Sequence, residues 1–393
     1  MGGLSALLLT GLATYGAWES LRHRSNLRRI PIRVHVNGTR GKSSVTRLIA
    51  GGLRSGGSRV FAKTTGTMAR MILPDGSERD VYRVGQPNII EQTRIVRRAV
   101  EAEAAILVVE CMAVSPELQP VAELRLIQST VGVITNVRAD HLDVMGPTVD
   151  DAALVLAQTA PRQGHLFTAE RERAHLLERV ARERGSELHV VDGTGVTAVE
   201  LEGFSYLEHA DNVALALAVC AHLGVDRETA IRGMHAAKPD PGVLRRYTVR
   251  SGHKTVTFVN AFAANDPDST LLIWRRLGLD GGGDGSARIV LANCRRDRAH
   301  RSSQIVELVT SGRMGADHVV LTGDETGLFA LQIVSRGLPR ERLTDLGGLD
   351  AARVFERVLD LVEERAVVVG IGNIVGLGEE ISRDFRNRAV THG

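Results

Sequence analysis

Cysteine, lysine, aromatic residues and surplus charge are all scarce in this sequence, and each scarcity excludes something. The three cysteines, Cys111, Cys220 and Cys294, are widely spaced and form no C-x-x-C pair. They argue against a disulfide framework and for a reducing compartment, with small buried thiols expected ahead of a catalytic nucleophile. Aromatics make up only 4% of the chain, too few for the stacking platforms that bind single-stranded nucleic acid. Lys and Arg total 49 against 46 Asp and Glu, so no nucleic-acid partner is indicated. Lysine occurs only at Lys42, Lys63, Lys238 and Lys254, which confines any lysine chemistry to those positions.

What remains is an ordinary globular mixture of 393 residues, 43% hydrophobic and 24% charged, for which two domains are the natural expectation. The 41 glycines suit tight turns and loops that approach phosphate. Residues 1–18 carry no charged side chain, and Glu19, Arg22, His23, Arg24, Arg28, Arg29 and Arg33 follow. This pattern predicts a single N-terminal membrane helix with a basic linker over 1–29, leaving the catalytic domains on the cytoplasmic side of the cell membrane. A cleavable signal would need a basic residue before the apolar run, and none is there. The alternative is an amphipathic or oligomer-forming helix.

From residue 30 onward, short apolar strands alternate with longer helical stretches. Strands are expected at 33–36, 106–110, 131–136, 188–192, 255–260, 288–292, 318–321 and 366–370, with helices at 43–53, 90–103, 171–184, 210–223 and 349–364. Short β-branched runs of this kind suit strands buried on both faces of a parallel sheet. The fold class is α/β, doubly wound. The breaker cluster KPDPG at 238–242 divides the chain into a larger domain at 30–242 and a smaller one at 243–393.

The segment Gly38-Thr39-Arg40-Gly41-Lys42-Ser43-Ser44 follows a predicted strand and opens a predicted helix. Its glycines let backbone N–H groups approach phosphate oxygens, and the positive end of the helix points at them. Lys42 can reach the β- and γ-phosphates, and Ser43 offers a hydroxyl to Mg²⁺. The loop is shorter than the usual G-x-x-x-x-G-K-[ST], so a chance turn is the competing reading. Two further strand ends carry chemistry. Glu110 closes the run ILVVE, where a carboxylate can hold Mg²⁺ or activate a water, or merely cap a helix. Asn136 ends another strand, and Asp140, His141 and Asp143 crowd behind it in a pattern that suits metal or phosphate.

Together these motifs resemble the Mur ligase and folylpolyglutamate synthase superfamily, whose members form amides with ATP through an acyl phosphate. More narrowly, NGTRGKSSVTR at 37–47, KTTGTMAR at 63–70, PNIIEQ at 87–92, ECMAVSP at 110–116 and DHLDVMGPT at 140–148 resemble the ATP-using subunit of poly-γ-glutamate synthases. The blocks PDPG at 239–242, NAFAAND at 260–266, NCRRDR at 293–298 and GIGNIVGLGEE at 370–380 continue that likeness in order. The resemblance implies a P-loop-type, doubly wound central domain and a Rossmann-like C-terminal domain, with ATP and Mg²⁺ as cofactors. It implies that Gly38 to Ser44 hold the triphosphate, that Ser43 and Glu110 bind Mg²⁺, and that His141 stands near a second metal, with Lys42, Glu110 and His141 at the chemistry. It further implies that Asn212 faces the adenine and that Asn136 lies at the nucleotide, with Arg245 a displaced candidate there. The usual aspartate of D-x-A-H-N-P is missing, and Asn260 and Asp266 are the nearest polar candidates for the ribose or phosphate. The partners it implies are glutamate, the growing poly-γ-glutamate chain and small membrane subunits, in an oligomeric synthase.

Two further departures from the superfamily pattern stand out. No lysine lies between Lys63 and Lys238, so the carbamylated lysine of many Mur ligases is absent or replaced. Val243 occupies the arginine position of P-G-R-x-E, with Arg245 and Arg246 as displaced candidates. Arg70, Arg83, Arg295, Arg296 and Arg298 are available to anchor substrate carboxylates. The rival from another class is a membrane-anchored P-loop NTPase acting as a regulatory or binding module. A dinucleotide oxidoreductase, suggested by Gly370-x-Gly372-x-x-x-Gly376, is not expected, because no further βαβ unit with a distal acid follows.

Overall fold

A computed structural model describes residues 2–390, except 66–68, 84, 86, 205, 207, 240–244, 263–266 and 282–284. The chain divides into two compact units, Met1–Asp240 and Pro241–Gly393, each built on its own sheet.

The strands of the first unit are β1 (Ile32–Asn37), β2 (Val60–Lys63), β3 (Arg70–Ile72), β4 (Glu78–Asp80), β5 (Ile106–Glu110), β6 (Val131–Ile134), β7 (His165–Thr168) and β8 (Glu187–Val190). In space they run β4-β3-β2-β5-β1-β6-β7-β8. The six from β2 to β8 are parallel, and β3 and β4 add an antiparallel edge. Both β5 and β6 are buried along their whole length, which explains their unbroken apolar runs. Helix α2 (Lys42–Ser55) and the helices Ala210–His222 and Arg227–Ala236 cover one face through Val34, Leu48, Val108, Ala216 and Met234. Helix α3 (Glu91–Glu101) covers the other through Ile95, Val96 and Ala99 against Leu107 and Val109. Strand β1 lies between β5 and β6, with Val36 opposite Glu110 and Asn37 opposite Ile134. The carboxyl ends of three neighbouring strands therefore open together, at the place where ligands bind in such sheets.

The second unit contains β9 (Arg245–Ser251), β10 (Lys254–Asn260), β11 (Ala287–Cys294), β12 (His318–Gly323), β13 (Leu343–Asp345) and β14 (Arg365–Gly372), ordered β13-β12-β11-β14-β10-β9. All pairings are parallel except that of β9 with β10. One apolar layer gathers around Trp274, Val290 and Val306, and another around Phe258, Phe355 and Phe385. The α/β architecture with two sheets agrees with the reading from sequence. The strands missing from that reading are short or polar: β2 and β7 have four residues each, and β9 reads RRYTVRS.

The N-terminal segment corrects an expectation. Helix α1 (Gly2–Arg28) forms, but among the described residues no helix is long and apolar enough to cross a membrane. The charge-free stretch is diluted by Gly2, Gly3, Ser5, Thr10, Gly11, Thr14 and Gly16, so lack of charge does not amount to a span. The far end of α1 is tied to the first unit instead. Leu27 and Ile30 are buried in the layer beneath α3, and the His23 ring donates through Nε2 to the Leu126 carbonyl at 2.9 Å.

Candidate functional site

The site starts from the turn between β1 and α2. Gly38 has φ +124°, and a Cβ there would run into the Thr135 hydroxyl. Gly41 has φ +81°, and its Cβ would stand 2.8 Å from Asn212 Oδ1. Both positions require glycine, which lets the chain turn tightly into the helix. Neighbouring strand ends brace the turn. Thr39 N–H donates to the Asn136 carbonyl at 3.0 Å. The Asn136 side chain grips the backbone of Arg40 from both sides, accepting from its N–H at 3.2 Å and donating to its carbonyl at 3.1 Å. The Thr135 hydroxyl donates to that carbonyl at 2.6 Å, and Thr39 Oγ1 accepts from Arg138 N–H at 2.9 Å.

Helix α2 then begins at Lys42 with no side-chain cap and no acidic residue in its first turn. Its leading N–H groups and the positive end of its dipole suit an anion. The Lys42 ammonium folds back over the turn, donating to the carbonyls of Gly38 at 2.6 Å and Thr39 at 3.2 Å. Ser43 Oγ donates to Glu110 Oε2 at 2.8 Å, and Thr65 N–H donates to the same oxygen at 2.6 Å. Glu110 is buried at the end of β5. On the far side, Asn212 donates to Glu208 at 2.8 Å while its amide oxygen lies over Gly41. Burial pushes the Glu208 carboxyl above its usual range, against hydrogen bonds from His209, Asn212, Tyr206 and Ser44.

Of the residues expected from sequence, Gly38 to Ser44, Glu110, Asn136 and Asn212 come together around this turn. His141 has φ +50° and a side chain 55% exposed, 3.9 Å from Asp140, which in turn lies 3.5 Å from Arg40. Among the described residues, His141 and Glu110 do not share a cluster of three metal-ligating side chains. In the second unit Arg245 and Asn260 are cross-strand partners, and Asn260 donates to Ser382 at 3.0 Å. Asp266 lies outside the described residues. Four of the candidate anchoring arginines have acidic partners within the protein: Arg70 with Asp80, Arg83 with Glu91, Arg295 with Asp297 and Arg296 with Glu325.

The structure adds a group that sequence reasoning passed over. Lys63, at the end of β2, is fully buried and donates to Glu91 at 2.8 Å. Glu91 also receives Arg83, through Nε at 2.6 Å and Nη2 at 3.1 Å. Burial pushes the Lys63 ammonium below its usual range, with Glu91 and Glu110 pulling the other way. Burial opposes ionisation of Glu91, but Arg83 and Lys63 outweigh it and hold the carboxyl below the usual range. The signal lay in the conspicuous blocks KTTGT and PNIIEQ, yet their meeting depends on the pairing of β2 with β5.

Comparison with known proteins places these features in a family. Residues 246–388 match the poly-gamma-glutamate synthase CapB C-terminal domain, and residues 36–188 match the Mur ligase middle domain. The chain is 41% identical to the capsule biosynthesis protein CapB of Bacillus anthracis, over 97% of this chain and 83% of that protein. It is 39% identical to the PGA synthase CapB of Bacillus subtilis (strain 168), over 93% of each. Among solved structures it superposes on the bifunctional folylpolyglutamate synthase/dihydrofolate synthase of Yersinia pestis complexed with AMPPNP and Mn, with TM-score 0.67 and 14% identity over 93% of this chain and 91% of that one. The folylpolyglutamate synthase of Mycobacterium tuberculosis complexed with ADP and AMPPCP gives TM-score 0.65 at 17% identity, covering 93% and 96%. With a glycine turn held by three strand ends and close relatives along nearly its whole length, the chain belongs to the CapB family of poly-γ-glutamate synthases.

Proposed function

We propose that this protein is an ATP-dependent amide ligase that makes poly-γ-glutamate, with the turn Gly38–Ser44 as its triphosphate cradle. The observation that carries the site assignment is the pair Ser43–Glu110 at the mouth of α2. Two cis ligands on an octahedral Mg²⁺ at about 2.0–2.1 Å stand about 2.9 Å apart, and the two oxygens here are 2.8 Å apart. Both are hard oxygen donors, so the residues present fit the ion. Ser43 and Glu110 would hold Mg²⁺ there, and the ion would supply charge neutralisation to the β- and γ-phosphates.

The chain's own residues supply the positioning. Backbone N–H groups at the start of α2 receive phosphate oxygens, and Lys42 exchanges its two loop carbonyls for the β/γ region. Asn136 and Thr135 keep the turn from relaxing, and Asn212, buried beside Gly41, is assigned to the adenine. A glutamate γ-carboxylate attacks the γ-phosphorus in line, releasing ADP and leaving an acyl phosphate. The amine of a second glutamate adds to the acyl carbon, and loss of phosphate and a proton completes the isopeptide bond. Protein groups contribute mainly orientation and charge stabilisation to such a transfer. His141 belongs to this reading as a group near a second metal. The candidates carried by the C-terminal domain at 243–393, Arg245, Asn260 and Asp266, are assigned to the nucleotide. The exposed Leu12, Tyr15, Trp18 and Leu21 on α1 support contact with small partner subunits of a membrane-associated synthase.

Hydroxylamine tests the reaction directly. With ATP, Mg²⁺ and a glutamyl acceptor present, it traps the acyl phosphate as a hydroxamate. Lys42→Ala lowers trapping by roughly 10²–10³. Phosphate release independent of glutamate in the complete complex, with no hydroxamate, sinks the ligase reading in favour of a bare NTPase.

A further inference from the structure

We propose that His165, Glu187 and His189 form a binding site for a transition-metal ion of the Zn²⁺ class, separate from the nucleotide site. The argument begins with strand pairing. Strands β7 and β8 run parallel, with His165 opposite Glu187 and Phe167 opposite His189. Side chains two apart on a strand share a face, so Glu187 and His189 project from the same face of the edge strand and His165 joins them from its neighbour. Backbone register thus brings three donors together without a loop.

The distances suit a metal. His165 Nδ1 and His189 Nε2 are 3.0 Å apart. Glu187 places one carboxylate oxygen 3.6 Å from His165 Nδ1 and the other 3.9 Å from His189 Nε2. Three ligand atoms, one from each side chain, lie within 4.8 Å of one another. Ligands about 2.0–2.1 Å from a tetrahedral Zn²⁺ stand about 3.3 Å apart, a value these separations bracket. Two imidazole nitrogens and a carboxylate are a borderline donor set, which favours Zn²⁺, Co²⁺ or Ni²⁺ over Mg²⁺.

The surroundings fix the rings and leave an entrance. The His189 ring stacks on Phe167, with centroids 4.5 Å apart and planes 18° apart. The His222 ring, from the helix Ala210–His222, packs 4.2 Å from the ring of His165. The outer side is open: the side chains of His165, His189 and Glu187 are 36%, 29% and 67% exposed. Three protein ligands and one open position would leave room for water or a small anion. The site is also remote from the phosphate cradle. His165 pairs with Val131, at the start of β6, whereas Asn136 lies beyond the end of that strand. Five residues of extended chain separate those levels by about 16 Å.

The rival explanation is a plain hydrogen bond between two imidazoles with a carboxylate nearby, and a titration separates the two. Untagged, metal-free full-length protein is titrated with Zn²⁺ against a chromophoric chelator in excess Mg²⁺, which occupies the oxygen ligands around Glu110. Co²⁺ is added in parallel to read its visible d–d bands. One equivalent should bind, with tetrahedral Co²⁺ absorption and a rise in melting temperature. His165→Gln, His189→Gln and Glu187→Gln should each weaken binding by tenfold or more, whereas exposed His175→Gln should not. The glutamine variants test binding alone if their metal-free melting matches the parent, and Glu187→Gln alters only an exposed side chain. Stoichiometric binding that survives all three substitutions, or no binding beyond that of the His165→Gln/His189→Gln double variant, overturns the proposal.

Discussion

Glu91→Gln should damage the protein more than Lys63→Met, although the two residues form one ion pair. The difference follows from what each change leaves behind. Lys63→Met leaves Glu91 still held by two bonds from Arg83, at 2.6 and 3.1 Å. Glu91→Gln leaves a fully buried ammonium without its 2.8 Å carboxylate. Removing one member of a buried pair typically costs about 3–5 kcal/mol when the other charge is orphaned. At about 2–4 °C per kcal/mol for a unit of this size, Glu91→Gln should melt roughly 6–20 °C early, and Lys63→Met should lose less than half as much. The double variant Lys63→Met/Glu91→Gln should recover part of the loss, because the orphaned charge is gone. Calorimetry on the four proteins measures the cycle, using the transition assigned to the first unit. If Lys63→Met is the worse single change, or the double variant is no better than Glu91→Gln, the charge accounting is wrong. A nucleotide-binding readout adds a second check. Glu110 is among the charges that act on Lys63, so an ammonium released from Glu91 should lean on the carboxylate that Ser43 meets.

What could be read from the sequence was local, and what could not was set by pairing across the chain. The turn Gly38–Ser44 is contiguous, and its chemistry is written in neighbouring letters; Glu110 could be placed because it ends a strand with an unmistakable apolar run, and Asn136 because it follows another by two residues. Their meeting needed only the parallel α/β order. Lys63 and Glu91 are a different case. They sit 28 positions apart on a four-residue strand and a helix start, and neither is adjacent to the other until β2 pairs with β5. His165, Glu187 and His189 likewise acquire a common face only through the β7–β8 register. Asp140, His141 and Asp143 are close in sequence, and His141, at φ +50°, sits just before the four-residue helix Leu142–Met145 with its side chain 55% exposed. The N-terminal segment misled through charge alone, because glycine and hydroxyl residues make a helix without making a bilayer span.

Three further outcomes follow. Glu110→Gln should lower hydroxamate formation by roughly 10²–10³ while nucleotide binding survives; near-normal turnover would remove Glu110 from the chemistry. The second concerns pH. His35 is buried and meets Glu123 at 2.8 Å; burial opposes its protonation, but Cys111 and Glu123 outweigh that and push it up to about 10 from an ordinary 6.5. A raised value in the folded state contributes stability fully below pH 6.5 and loses it as pH climbs through about 10, so the melting temperature should fall over that window and His35→Gln should flatten the fall; a parallel pH profile in the variant refutes the assignment. The last concerns α1, whose described side chains from Thr10 to Arg22 are exposed while Leu27 and Ile30 are 3% and 0% exposed. Among the described residues, deleting 2–22 removes no such buried anchor and should leave the first unit's melting nearly unchanged, whereas deleting 2–30 removes two apolar side chains whose burial stabilises by roughly 3–6 kcal/mol. If both truncations melt alike, the end of α1 is not the part of the core that its burial implies, and the tie through His23 and Leu27 has to be abandoned.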